Sequence, residues 1–320
     1  MLVESVPNYS EGRRLTVVDR LAAAVTATPE AYLLDRTSDP SHNRSVLTLA
    51  GEAPAVLAAL HSTVDVAIDE IDMESHSGEH PRIGAVDVVP FVPLAATTLD
   101  ECIGLARRFG AEVADRHGIP VYLYARAATR PDRIRLADVR RGGYEGVRDE
   151  IATVEDRAPD FGPRRIHPRA GAMAVGARPF LIAWNINLAS EDLDLAKRIA
   201  RTVRESGGGF AAVQANGFML AEPPCAQVSM NLLDFETTPM WRVWEAVEAI
   251  ATDAGVGLRE SELIGLAPLA AFDAVALHAG VRPAAPVGQR FAAAAAALRL
   301  RDATPDMALE LRLAAARGER

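Results

Sequence analysis

Short apolar or alternating runs, most of them bounded by Gly, Pro, Asn or Ser, recur along the chain. They predict strands over residues 2–6, 32–35, 45–50, 86–91, 121–124, 180–186, 210–214 and 226–233. Between them, apolar residues return every three or four positions. That spacing predicts helices over 13–26, 54–69, 99–117, 191–205, 239–254 and 289–301. Thr98 and Glu101 have the spacing of a capping box and place one helix start. The alanine run 292–297 is low in complexity, but alanine is the best helix former, so it is read as helix.

Two segments share one plan. VESVPNYSEGRRLTVVDRLAAAV reads strand, Asn-containing turn, helix, and LIAWNINLASEDLDLAKRIARTV repeats that order in the second half. The alternation of strands with amphipathic helices predicts an α/β (α+β) protein of two subdomains, each a sheet with helices on one face. The boundary is placed in the Pro- and Arg-rich stretch before Pro179, giving subdomains 1–178 and 179–320. A cleft between two such lobes is a usual place for a small ligand.

Composition narrows the function classes. A hydrophobic content of 49% with 24% charged residues is that of a globular chain and not a disordered one. The net charge of −9 argues against broad nucleic-acid or anionic-membrane binding, so any anionic ligand must be held by local arginines. Cys102 and Cys225 are far apart and form no metal or redox motif. The N-terminal residues lack an export signal, and a soluble cytoplasmic protein is expected.

The densest chemistry lies in SHSGEHPRIGAVDVVPF, residues 75–91. His76, Glu79 and His80 spell the inverted zinc-protease signature. That site needs one continuous helix, but Gly78 interrupts the motif and Pro81 pushes His80 out of the helical region, so no metal is expected. The stretch reads instead as a loop leading into a buried strand. His80 and Arg82 admit two readings. In one, the imidazole transfers a proton and the guanidinium beside it holds a carboxylate. In the other, His80 caps a turn and Arg82 is solvated.

Three further stretches are richer in polar groups than simple turns require, though each also has a plain structural reading. VPNYSEG, with Asn8, Ser10 and Glu11, offers either free helix N-terminal amides or N-capping. DRTSDPSHNRSVLT carries Asp39, His42, Asn43 and Arg44 in a loop before a strand. GAMAVGARPFLIAWNINL sets small residues before a strand ending near Asn185 and Asn187, where either a flat ligand or a tight linker would fit. SGGGF lacks the lysine of a phosphate loop and reads as a helix end.

In order, VPNYSEG, SHNRSV, GEHPRIGAVDVVPFVP, PRAGAMAVGARPFLIAWNINL and AQVSMNLLDF resemble the blocks of glutamate formiminotransferase, from Val3 to about Pro268. The resemblance implies transfer of a formimino group from N-formimino-L-glutamate to tetrahydrofolate as co-substrate, in histidine degradation, and without the cyclodeaminase domain of bifunctional members. It implies a homodimer whose facing sheets enclose a substrate tunnel. It places the catalytic histidine at His80 and the folate-binding stretch at Ile166, His167, Pro168, Arg169, Ala170, Gly171, Ala172, Met173, Ala174 and Val175. There His167, Arg169, Ala170 and Met173 stand where animal members have more aromatic or hydroxyl-bearing residues, which leaves the preferred folate open. Charge and placement suggest Arg82 and Arg44 for the glutamate carboxylates. They also suggest Asp39 for orienting His80 or stabilising the amidinium-like carbon, and Asn8 for a substrate hydrogen bond. Transfer from another formyl or formimino donor, or folate binding without turnover, are the alternatives.

Overall fold

The computed structural model describes Met1 to Glu319, and Arg320 lies outside the described residues. The chain divides into two compact units, Met1–Arg178 and Pro179–Arg320. Among the described residues, no helix is long and apolar enough to cross a membrane.

The first unit contains β1 (Leu2–Ser5), β2 (Asn8–Tyr9), α1 (Leu15–Thr26), β3 (Ala31–Asp39), β4 (Arg44–Glu52), α2 (Ala53–Glu70), β5 (Val86–Pro93), α3 (Leu99–His117), β6 (Val121–Ala125), α4 (Leu136–Val139), α5 (Gly143–Glu150) and β7 (Met173–Ala177). Its seven strands form one sheet. β3 lies against β4, and β1 and β2 run end to end between β4 and β5, all antiparallel. β7 then pairs in parallel with both β5 and β6.

Strand alternation divides the unit. Leu47, Leu49, Val89, Phe91, Leu123, Met173 and Val175 face α1, α2 and α3 in one large apolar core. Val88, Tyr122, Tyr124 and Ala174 face the other way, where Val139, Val147 and Ile151 cover them. The first sheet therefore carries short helices on its second face, beyond the one-sided layer that periodicity suggests. α3 occupies 99–117 as expected: Thr98 Oγ1 accepts the Glu101 amide at 3.3 Å, and Glu101 accepts the Thr98 amide at 2.7 Å.

The second unit contains β8 (Ile182–Leu188), α6 (Leu193–Val203), β9 (Val213–Ala221), β10 (Pro224–Leu232), α7 (Met240–Asp253), β11 (Leu258–Ile264), α8 (Leu269–His278), α9 (Val287–Ala297) and α10 (Leu309–Ala316). Its sheet is antiparallel, in the order β11-β8-β10-β9. Trp184, Ile186, Leu188, Val228 and Met230 pack against Ile199, Val243, Val247 and Phe272. The alternate positions are polar: Gln227 donates to Asn187 at 2.9 Å, and Asn187 donates to Glu260 at 3.2 Å.

Several elements depart from the periodic reading. β9 begins at Val213 where a strand was expected over 210–214, because SGGGF forms the turn after α6. β2, β7, β11, α4, α5, α8 and α10 were not foreseen. β7, MAVGA, falls in the segment for which either a flat ligand or a tight linker is expected, yet it is a strand buried on both faces between parallel neighbours. β11, LRESELI, alternates with charges, as a half-exposed strand does.

Candidate active site

The segment from Ile71 to Ala85 carries His76, His80 and Arg82, and no helix forms over the inverted zinc signature. Pro81 and the lack of a continuous turn keep the two histidines from sharing a helical face. Among the described residues, no three His, Cys, Asp or Glu side chains come together to hold a metal ion.

Both ends of this loop are fixed by backbone hydrogen bonds. The Met73 amide donates to the Arg169 carbonyl at 2.9 Å, and the Ala85 amide to the Ala170 carbonyl at 2.8 Å. Ser10 Oγ donates to the Gly84 carbonyl at 2.7 Å. Gly84 allows the closest approach, since a Cβ there would lie 1.8 Å from the Ala172 carbonyl oxygen. The loop middle is held by Asn43, whose Nδ2 donates to the Ser77 carbonyl at 3.0 Å while its own carbonyl meets His76 Nε2 at 3.1 Å.

His80, Arg44, Arg82 and Asp87 line one small pocket together with Ser10, His42, Asn43 and His76. An Arg44 Nη1–H donates to His80 Nε2. A guanidinium can only donate, so Nε2 is the unprotonated nitrogen and the neutral ring carries its proton on Nδ1. Burial, then the charges of Arg44 and Arg140, push the His80 pKa down to about 3; the Pro81 backbone works the other way. His80 is thus a neutral imidazole whose lone pair is covered by a cation.

Asp87 lies behind this pair, wholly buried on β5. Its Oδ1 accepts the Ile83 amide at 2.8 Å and its Oδ2 accepts from Arg140 Nη2. Burial pushes its pKa up against the opposing pull of Arg140. The buried Nε of Arg140 has no hydrogen-bond partner. Neither residue was singled out from sequence. Asp87 did carry a signal, as the one charge inside VDVVPF, whereas Arg140 lies in RRGGYEG and carried none.

The other expected site residues are placed less simply. Arg82 is engaged: it donates to both Glu145 carboxylate oxygens, at 2.8 and 3.0 Å, and to His76 Nδ1 at 3.2 Å. It can grip a substrate carboxylate through two hydrogen bonds only by giving up one of these partners. Asp39 does not touch His80. It accepts the amides of Ser41 and His42 at 2.8 and 3.0 Å and meets the His42 ring at 2.5 Å. Burial would raise the Asp39 pKa, but these bonds prevail and lower it. The His42 ring in turn stands edge-on to His80, with centroids 6.1 Å apart. Asn8 donates to the Val6 carbonyl at 3.0 Å. It pairs with Val46, and so shares the sheet face of Arg44 two positions earlier on β4.

The helix start after VPNYSEG is not free for an anion. Glu11 Oε1 accepts the Arg13 and Arg14 amides at 3.0 and 2.9 Å. In the stretch from Ile166 to Val175, His167 closes a turn by accepting the Ala170 amide at 2.9 Å, and Ile166 packs partly buried against the core. Pro168 and Arg169 are exposed, while Ala170 to Val175 are buried in or beside β7. Met173 and Val175 face the helices and so cannot offer a stacking surface to a ligand. Arg169 instead lines a second pocket of about 320 Å³, which shares Ser10, Asn43 and His76 with the His80 pocket.

Comparison with known proteins identifies the family. The N-terminal subdomain of the formiminotransferase domain family matches residues 2–178, and the formiminotransferase domain matches residues 183–280. The chain is 45% identical over 275 residues to glutamate formimidoyltransferase of Streptococcus pyogenes serotype M1, covering 86% of this chain and 92% of that one. It is 43% identical over 268 residues to the protein of the same name from Thermoplasma acidophilum, covering 83% and 88%. Against formimidoyltransferase-cyclodeaminase of Rattus norvegicus it is 43% identical over 284 residues, 87% of this chain but 52% of that longer one.

Proposed function

The chain belongs to the formiminotransferase family, and on that premise we propose that it transfers a formimino group from N-formimino-L-glutamate to tetrahydrofolate. The products are 5-formimino-tetrahydrofolate and L-glutamate. The observation that carries this reading is His80, a neutral imidazole in a pocket shared with Arg44 and Asp87.

The reaction needs one group that can take and return a proton. Nitrogen 5 of the reduced pterin attacks the amidine carbon and loses its proton. The bond from that carbon to the glutamate nitrogen then breaks, and the departing amine takes a proton. His80 Nε2 receives the first proton and supplies the second, acting as base and then as acid. Holding donor and acceptor together lowers the barrier by proximity, so little further machinery is required.

Arg44 is assigned to a donor carboxylate, with Asn8 on the same sheet face. Arg82 positions the loop through Glu145 and His76, and Asp39 acts through His42. The pocket lined by Arg169 is assigned to the glutamate end of the folate, which the remainder of the stretch from Ile166 to Val175 supports from behind. The two units are assigned as subdomains 1–178 and 179–320 of one transferase domain. The same reading places the enzyme in histidine degradation, in the cytoplasm and as a homodimer.

Steady-state turnover of N-formimino-L-glutamate with tetrahydrofolate, for the wild type and His80→Ala, tests the proposal. The wild type should turn over, and the variant should lose about 100-fold or more in kcat. A wild type that binds tetrahydrofolate but leaves this donor untouched sinks the donor assignment and favours another formyl or formimino donor.

A further inference from the structure

A base held as low as His80 is a weak proton acceptor near neutral pH, and its lone pair is occupied by Arg44. The two facts share one cause. Arg44 donates to Nε2, the nitrogen that must accept the proton, so that nitrogen is unavailable while the guanidinium stays. Arg140, the other cation nearby, is bonded to Asp87 instead.

We propose that Arg44 masks the Nε2 lone pair of His80 in the free protein and releases it when a carboxylate of the donor captures the guanidinium. The inference rests on the transfer reading above and adds to it a device for choosing the donor. A guanidinium bonds a carboxylate through two parallel hydrogen bonds between opposite charges, where the neutral imidazole offers a single acceptor and no charge. The carboxylate therefore outcompetes the imidazole. Its negative charge beside His80 also offsets Arg44 and Arg140, the cations that disfavour protonation. A neutral formamidine, having no carboxylate, leaves the mask in place. Charged and titratable groups around His80 come from each neighbouring segment: Arg44 on β4, Asp39 at the end of β3, His42 in the turn between them, Arg140 after α4, Asp87 on β5, and His76 and Arg82 in its own loop.

The test is nitrogen-15 NMR of the histidine side chains in the full-length protein, with His80 assigned by the signal missing from His80→Gln. In the free wild type His80 should stay neutral to below about pH 5. In Arg44→Gln its titration should move up by about two pH units, a 100-fold gain in proton affinity. Saturating glutarate should raise the wild-type titration by about one unit or more and leave Arg44→Gln unmoved, while neutral glutaramide should shift neither. Arg44→Lys, which keeps the charge but loses the fork, should fall between the two and serves if the glutamine variant does not fold. An unchanged His80 titration in the Arg44 variants, or none on adding glutarate to the wild type, overturns the masking. Absent turnover with the masking shifts intact would instead overturn the donor and acceptor assignment.

Discussion

The first unit holds two arginine-rich clusters that use the same residue types differently. In one, Arg133 donates to Asp160 at 2.6 Å and to the carbonyls of Asp156 and Ala158, with its guanidinium 5.2 Å from the Tyr122 ring centre. Beside it Arg157 donates to Glu150 at 2.5 Å and to the carbonyls of Val139 and Arg141. Both spend their donors on carboxylates and on backbone oxygens of neighbouring segments, and so staple α4, α5 and the loop before β7. In the other cluster, Arg140 keeps a buried Nε without a partner, and Arg44 gives a hydrogen bond to a neutral base. A buried polar group left incompletely paired costs stability, and such groups gather at functional sites. The kind of partner distinguishes the two clusters, carboxylates and backbone oxygens in the first and a neutral imidazole in the second, although both are rich in the same residue type.

The comparison can be broken most sharply at the Arg133 cluster. The Arg133 and Asp160 side chains are only 5% and 8% exposed. Asp160→Ala should therefore cost about 3–5 kcal/mol in urea denaturation, the usual penalty for leaving one buried charge unpaired. The folded fraction should keep the wild-type His80 titration, and a changed titration would mean that the clusters are coupled. At the reactive cluster, Arg44→Gln should raise KM for the donor by about 10-fold or more, the loss of one charge-assisted pair. Glu145→Gln, which frees Arg82, should change it by less than about threefold if Arg82 only positions the loop. A larger effect from Glu145→Gln would return Arg82 to the substrate.

A separate effect is expected on acid stability. His80 binds its proton more weakly in the folded protein than its ordinary value near 6.5, so between there and about pH 3 the unfolded chain holds more protons. Stability that is full above the ordinary value is then lost as pH falls through that window. Glu11 and Asp39, both lowered, add to the loss, and Asp87, raised by burial, opposes it. Denaturation midpoints at pH 7 and pH 4.5 should fall further for the wild type than for His80→Gln. Equal losses would show that His80 is not held neutral.

Legibility followed physical cause. α3 was readable to its first residue because its capping box and its apolar stripe are local. β2 is two residues long, and β7 sets Met173 and Val175 among Ala and Gly, so neither has a clear strand signature; neighbouring strands make them strands. His80 and Arg44 were readable as chemistry because such residues are conspicuous in short loops. Their partners were not. Asp39 turns to His42, three residues away, and Arg82 reaches Glu145, 63 positions on. Arg140 reaches Asp87 across 53 positions, which no spacing in the chain announces.

By itself the sequence determined the alternation of strands and amphipathic helices, the break of the zinc signature at Gly78 and Pro81, and the presence of an imidazole at position 80 in a loop beside a buried strand. These depend on backbone sterics and on side-chain type, which act within a few residues. Only the tertiary structure decided that Arg44 covers the lone pair of His80, that Arg82 is already paired, and that Asp87 and Arg140 stand behind them. Those outcomes depend on which distant side chains share a desolvated space, where a charge must find a partner or shift its proton affinity.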